Sequence, residues 1–97
     1  MTTAAKTEYA TNLGAIRAAH RRIEPFIRRT PVLTSATMDA VSGRSLWFKC
    51  ELFQKTGSFK FRGATNAVRM LDDRAAARGV VTHSSGNHAQ ALALAAR

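Results

Sequence analysis

Lys60 stands between Phe59 and Phe61 in the run KTGSFKFRGA (Lys55 to Ala64), with Arg62 close behind it. A lysine amine is a nucleophile only once it has lost its proton, and an apolar flank or a neighbouring cation promotes that loss. A neutral amine condenses with a carbonyl, so Lys60 is a candidate anchor for an aldehyde cofactor. The competing reading is a surface lysine at a helix start, a position the helix dipole disfavours for a cation without forbidding it. The second stretch is SSGNHAQ (Ser84 to Gln90), which begins 24 positions after Lys60. Serine at a helix start caps it, and capping accounts for one of the two serines. Ser84, Ser85, Gly86 and Asn87 could instead form a cup whose backbone N–H groups receive a carboxylate or phosphate. Both readings stay open on local chemistry.

Other chemistry-bearing residues point to less. His83, His88 and Cys50 offer three zinc-ligand types but no recognised zinc spacing, so no metal site is expected. Cys50 reads as a buried strand residue, and His20, within an arginine cluster, as exposed. The six glycines (14, 43, 57, 63, 79 and 86) are scattered and fit neither a phosphate loop nor a dinucleotide fingerprint.

The elements that must hold these groups follow from periodicity. Residues 1–10 read as a loose arm. Leu13, Ile16, Ile23 and Ile27 recur at near-helical spacing, which predicts a helix over 11–29 that Pro25 breaks. Thr30-Pro31 imposes extended geometry, and Val32 to Thr34 reads as a short strand. Residues 36–44 form a helical turn or loop. Ser45 to Glu51 (SLWFKCE) is β-prone, and alternation puts at least one of Trp47 and Phe48 in the core. Ala64, Ala67, Val68 and Leu71 mark one helix face and put Lys60 at that helix's first turn. Asp72 to Arg78 is a further short helix closed by Gly79. Val80 to Thr82 reads as a buried strand, and Ala89, Leu92, Ala93 and Ala96 as a last helix that continues to the end of the chain. The order is that of an α/β protein, with SSGNH at the carboxyl end of a strand, where α/β sheets bind ligands.

Composition narrows the class. The chain has 97 residues, 45% of them hydrophobic, and alanine supplies much of that fraction. This is globular composition with a thin core, as in a piece of something larger. The net charge is +9, from 15 basic against 6 acidic residues. A basic balance can serve nucleic acid or anionic membranes, but the arginines are not interleaved with aromatic residues that stack on bases, and they read as a solvated face. The single cysteine excludes an intrachain disulfide. The N-terminus lacks the apolar core of a signal peptide, and no apolar run approaches the ~20 residues of a membrane helix. A cytoplasmic protein is the expectation.

Taken together, RTP (29–31), KCELFQKTGSFKFRGATNAV (49–68) and THSSGNHAQALALAA (82–96) resemble the fold-type II pyridoxal phosphate (PLP) enzymes, whose fold is that of the tryptophan synthase β chain. Within them the resemblance is to the serine racemase and serine/threonine dehydratase family. It implies that Lys60 is the Schiff-base lysine, that Phe59 packs against the cofactor ring, and that Asn87 hydrogen-bonds the ring hydroxyl. Ser84, Ser85, Asn87 and His88 would receive the substrate carboxylate. The activity implied is β-elimination of a hydroxy amino acid, serine or threonine, to a 2-oxo acid and ammonia, or racemisation of serine. Ser85 matches the serine that donates a proton on the second face in racemases, where dedicated threonine dehydratases often have alanine. Mammalian-type members bind a nucleotide effector near positions matching Ser35, Lys55 and Thr56, and Ala36 replaces a serine of that pattern.

The resemblance also implies what the chain lacks. Family members are several times longer, and their phosphate cup, pyridine-nitrogen partner and divalent-cation ligands match positions beyond 97. Residues 1–75 would belong to the large domain and 79–97 would open the small one. A homodimer or homotetramer is implied for the intact enzyme, and an inactive fragment for these residues alone. The rival readings are a non-catalytic regulatory or interaction module and an arginine-driven nucleic-acid binder.

Overall fold

Side-chain caps and breakers set the elements of this computed structural model, which describes residues 4–97. Residues 4–10 of the expected arm carry no helix or strand, and its first three residues lie outside the described range. Asn12 opens α1 (Leu13–Ile23) by accepting a hydrogen bond from the Ala15 amide at 2.9 Å. The helix ends at Ile23, two residues before Pro25, whose ring cannot sit in a helix interior. A turn closed by the Phe26 amide on the Ile23 carbonyl follows, at 2.8 Å. The segment 36–44 is a helix, α2 (Ala36–Ser42), capped by Ser35 and stopped by Gly43 at φ 65°. Only glycine adopts that left-handed geometry without a Cβ penalty.

β1 (Val32–Leu33) and β2 (Phe48–Lys49) pair antiparallel, Val32 opposite Lys49 and Leu33 opposite Phe48. The Cys50 amide donates to the Pro31 carbonyl at 3.0 Å and extends the ladder by one bond. Two 3₁₀ turns follow, Glu51–Phe53 and Lys55–Gly57, and then α3 (Lys60–Arg69). Asp72 caps the short α4 (Asp73–Ala77), and Gly79 at φ 76° lies just past its end. The last helix is α5 (Asn87–Ala95).

The core sits where α3 crosses α5. Phe61, Ala64 and Ala91 are buried there, with Ile27 and Ala95 packed against them. Alanine at the crossing lets the two backbones approach closely, at the expense of buried area. The radius of gyration is 17.9 Å, against about 12–13 Å for a compact domain of this length. The molecule is therefore open, with much apolar surface uncovered.

Three expectations change. The β-prone segment 45–51 is a strand only at Phe48–Lys49. Val80 to Thr82 runs extended but is no strand, and Val81 is 95% exposed. A strand exists only when a neighbour takes its backbone hydrogen bonds, and no neighbour stands there among the described residues. Neither Trp47 nor Phe48 joins the core, because nothing packs on that two-stranded ribbon; they are 73% and 41% exposed. Cys50 is buried as expected, just past the end of β2.

Candidate active site

Lys60 is the first residue of α3, and that helix start has no side-chain cap of the ordinary kind: Phe59, at the cap position, makes none. Ser58 Oγ accepts only a long bond, 3.4 Å, from the Lys60 amide. The first turn is held from the side instead. Arg62 donates through Nε and Nη2 to the two carboxylate oxygens of Glu51, both at 2.7 Å. Thr30 Oγ1 donates to the same carboxylate and accepts from Arg62 Nη2 at 3.3 Å. Arg62's bonds, opposed by partial burial and helped by Thr30 and by the charges of Arg62 and Lys49, hold the Glu51 carboxyl at about 2 instead of 4.5. The same pairing raises the Arg62 guanidinium further above its ordinary value.

The start of α5 is built by Ser84. Its Oγ accepts from the Gly86 amide at 3.1 Å and the Ala89 amide at 3.2 Å. Ser84 is thus the capping serine. No hydrogen bond among the described residues engages Ser85 Oγ, the Asn87 side-chain amide, or the backbone amides of Asn87 and His88. Those two amides are the orphan donors of a helix's first turn, at the positive end of the dipole. A Cβ added at Gly86 would meet nothing within 4 Å, so the loop surface there is open to approach.

Packing of α3 on α5 brings the two stretches together. Lys60, His83, Ser84, Ser85, Gly86, Asn87 and His88 line one cleft of about 500 Å³. No acidic residue lines it, and its charge favours an anion. Phe59 does not line it; its ring lies 5.2 Å from Lys60 Nζ and is itself 61% exposed. The apolar enclosure expected around Lys60 is therefore not supplied by the described residues. His83 and His88 share the cleft while Cys50 is buried elsewhere, and no three metal-ligating side chains come together among the described residues.

Several contacts that hold this arrangement were not visible in the sequence. Gln54 is 2% exposed and pairs with the backbone of Arg28, accepting from its N–H at 3.0 Å and donating to its carbonyl at 2.8 Å. Lys55 Nζ donates to the Phe26 carbonyl at 2.6 Å. Thr56 takes φ 63°, a left-handed geometry costly for a β-branched residue. These contacts lock the loop before Lys60 onto the connection after α1. Lys55 and Thr56 also line a separate cavity of about 720 Å³, together with Arg28, Phe61, Thr65 and Arg69. Ser35 is not part of that lining; it caps α2 through the Met38 amide at 3.2 Å. The signal available for the Glu51–Arg62 pair was a lone carboxylate closing a β-prone run before a helix start rich in cations.

A lysine amine and the free amides of a helix start thus share one cleft, groups whose chemistry suits a carbonyl and an anion. The family model for pyridoxal-phosphate dependent enzymes matches residues 23–97, and the chain belongs to that family. It is 62% identical over 92 residues to a serine racemase of Arabidopsis thaliana, covering 95% of this chain and 28% of that protein. It is also 62% identical over 79 residues to a beta-hydroxyaspartate dehydratase of Paracoccus denitrificans, covering 81% of this chain and 25% of that protein. Among solved structures, maize serine racemase superposes with a TM-score of 0.85 at 57% identity, over 91% of this chain and 28% of that one. The chain thus spans about a quarter of the length of the curated relatives it matches. Its fold is α/β, the N-terminal part of the fold-type II PLP architecture.

The residues present fit that cofactor. Lys60 supplies an amine in a cleft, Ser85 and Asn87 supply uncommitted polar groups, and the backbone at Gly86 is open to close approach.

Proposed function

We propose that this chain forms the lysine-bearing part of a PLP-dependent enzyme that racemises or dehydrates a small hydroxy amino acid. The observation that carries the reading is the shared cleft of Lys60 with Ser84–His88. PLP, when bound, supplies the electron sink that makes the substrate α-proton acidic. Lys60 Nζ would hold the cofactor covalently and, as a free amine, would take the substrate α-proton. The free amides of Asn87 and His88 hold the substrate carboxylate, with the Ser84 O–H as a further donor. The Asn87 side chain orients the cofactor ring. Ser85 Oγ–H donates a proton to the second face, which completes racemisation. In dehydration the β-hydroxyl leaves as water, and hydrolysis yields a 2-oxo acid and ammonia.

The reading extends to organisation. Residues 1–75 belong to the large domain and 79–97 open the small one, in a cytoplasmic homo-oligomer whose divalent cation, where present, is held by residues outside this chain. Among the described residues no helix is long and apolar enough to cross a membrane. Exposure of Phe59 supports inactivity of the 97 residues alone, since water is not kept from Lys60.

The test is a graft of residues 1–97 in place of the matching N-terminal part of the Arabidopsis relative. Borohydride reduction with PLP followed by peptide mass mapping should find the label on Lys60, and Lys60→Ala should remove it. A label at Lys49 or Lys55, or one that survives Lys60→Ala, refutes the assignment. Product analysis with serine, threonine and 3-hydroxyaspartate then separates racemase from dehydratase.

A further inference from the structure

We propose that Arg62, clamped by Glu51 and Thr30, is a positioning residue that sets the rotation of α3 about its own axis and so the point at which the Lys60 amine enters the cleft. The inference rests on the reading of Lys60 as the cofactor-bearing lysine. Successive residues of an α-helix are about 100° apart, so Lys60 and Arg62 leave α3 on nearly opposite sides. One faces the cleft with Ser84–His88; the other faces the connection after α1 and the end of β2. The helix start has no side-chain cap at Phe59, which leaves the Arg62 fork as the polar anchor of the first turn, opposite the cleft and beside the buried Phe61. Both prongs reach Glu51 at 2.7 Å. A planar two-pronged contact resists rotation in a way that a point charge does not.

The clamp is itself anchored. Thr30 is 4% exposed, its hydroxyl joins the Glu51–Arg62 contact, and its carbonyl accepts from Lys49 Nζ at 2.8 Å. One turn further along the same face, Asn66 accepts from Arg22 Nη1 of α1 at 2.6 Å. That second tie holds the later turns of α3, so loss of Arg62 frees the first turn selectively. The geometry sets the scale. Side chains end roughly 6 Å from a helix axis, so a rotation of about 15° carries the amine about 1.6 Å. A misplacement of ~1 Å in a reacting group lowers rates on the order of 100-fold.

The experiment compares Arg62→Lys, Arg62→Gln and Glu51→Gln with Asn66→Ala as control. Two readouts are used, both in the Arabidopsis graft: amide hydrogen exchange without cofactor, and the rate of borohydride-trapped labelling of Lys60 by PLP. Arg62→Gln and Arg62→Lys should each speed exchange at residues 61–64 and slow labelling at least tenfold, with exchange at 90–95 in α5 unchanged. Lysine should fail to rescue, because it keeps the charge and loses the fork. Glu51→Gln, which keeps one acceptor, should fall between, and Asn66→Ala should label like the parent. In turnover, kcat should fall more than KM rises. Labelling by Arg62→Lys within twofold of the parent overturns the proposal, and so does unchanged exchange at 61–64. Absence of label on Lys60 in the parent graft instead overturns the cofactor reading, and exchange alone then decides whether Arg62 holds the turn.

Discussion

Acid should remove the stabilisation that the Glu51–Arg62 pair gives the fold. The Glu51 carboxyl is held at about 2 against 4.5 unperturbed, chiefly by Arg62's hydrogen bonds. At about 1.4 kcal/mol for each pH unit between those two values, the difference corresponds to roughly 3 kcal/mol. The pair is partly open to water, with side-chain exposures of 15% for Glu51 and 27% for Arg62, so solvent screening brings the stabilisation below that figure. The folded-state value is depressed, so the unfolded chain binds the proton first. The stabilisation is fully present above pH 4.5, falls through the window from 4.5 to about 2, and is gone below it. Urea denaturation followed by helical circular dichroism at pH 7, 5, 3.5 and 2.5 measures it. The parent chain should lose stability across that window faster than Glu51→Gln, which has no proton to gain, by up to about 1.4 kcal/mol per pH unit. Parallel slopes for the two chains would refute the reasoning, because the pair would then carry no differential proton affinity.

Three further outcomes follow from the loop and cap geometry. Ser84→Ala removes the acceptor for the Gly86 and Ala89 amides and should cost about 0.5–2 kcal/mol, read as faster amide exchange in α5. Ser85→Ala should leave that exchange unchanged and, in the graft, lower racemisation more than ammonia release. Gln54→Ala removes both hydrogen bonds that the buried Gln54 side chain makes to the Arg28 N–H and carbonyl and should lower the urea midpoint by the equivalent of about 1–3 kcal/mol. Thr56→Gly relieves the strain of φ 63° and should hold or raise the midpoint, whereas Gly57→Ala, forced to φ 76°, should lower it.

What the sequence made legible was local. Pro25 stopped α1, Ser84 capped α5, and Gly79 followed α4, because each acts through its own backbone neighbours. The association of Lys60 with Ser84–His88 was legible through family resemblance, since nothing in spacing alone says that positions 24 apart share a cleft. Contacts made across the fold were not legible. Gln54 with Arg28 and Arg62 with Thr30 span 26 and 32 positions, and neither residue type announces its partner. The strand expectations failed for a related reason. Val80 to Thr82 and Trp47 have β-prone side chains, but β structure is a property of two segments, and among the described residues only β1 and β2 meet.

The same composition that weakens the core also makes the site. Ala64 and Ala91, at 3% and 0% exposure, occupy the crossing of α3 and α5. Larger residues there would bury more area and stabilise more, at about 25 cal/mol for each Å². They would also push the helices apart, and with them Lys60 at the start of one and Ser84–His88 at the start of the other. A proton transfer tolerates little of that displacement. Small residues at the crossing therefore trade stability for proximity, and the lost cohesion is offset by polar contacts placed around the crossing: Arg62 with Glu51, Arg22 with Asn66, and Gln54 with Arg28. Each of these ties an element bearing the site, or the loop leading into it, to the connection after α1 or to α1 itself. Of the three, only the Arg62 fork sits in the first turn of α3 and so sets where Lys60 points; the other two hold the later turns and the loop leading in.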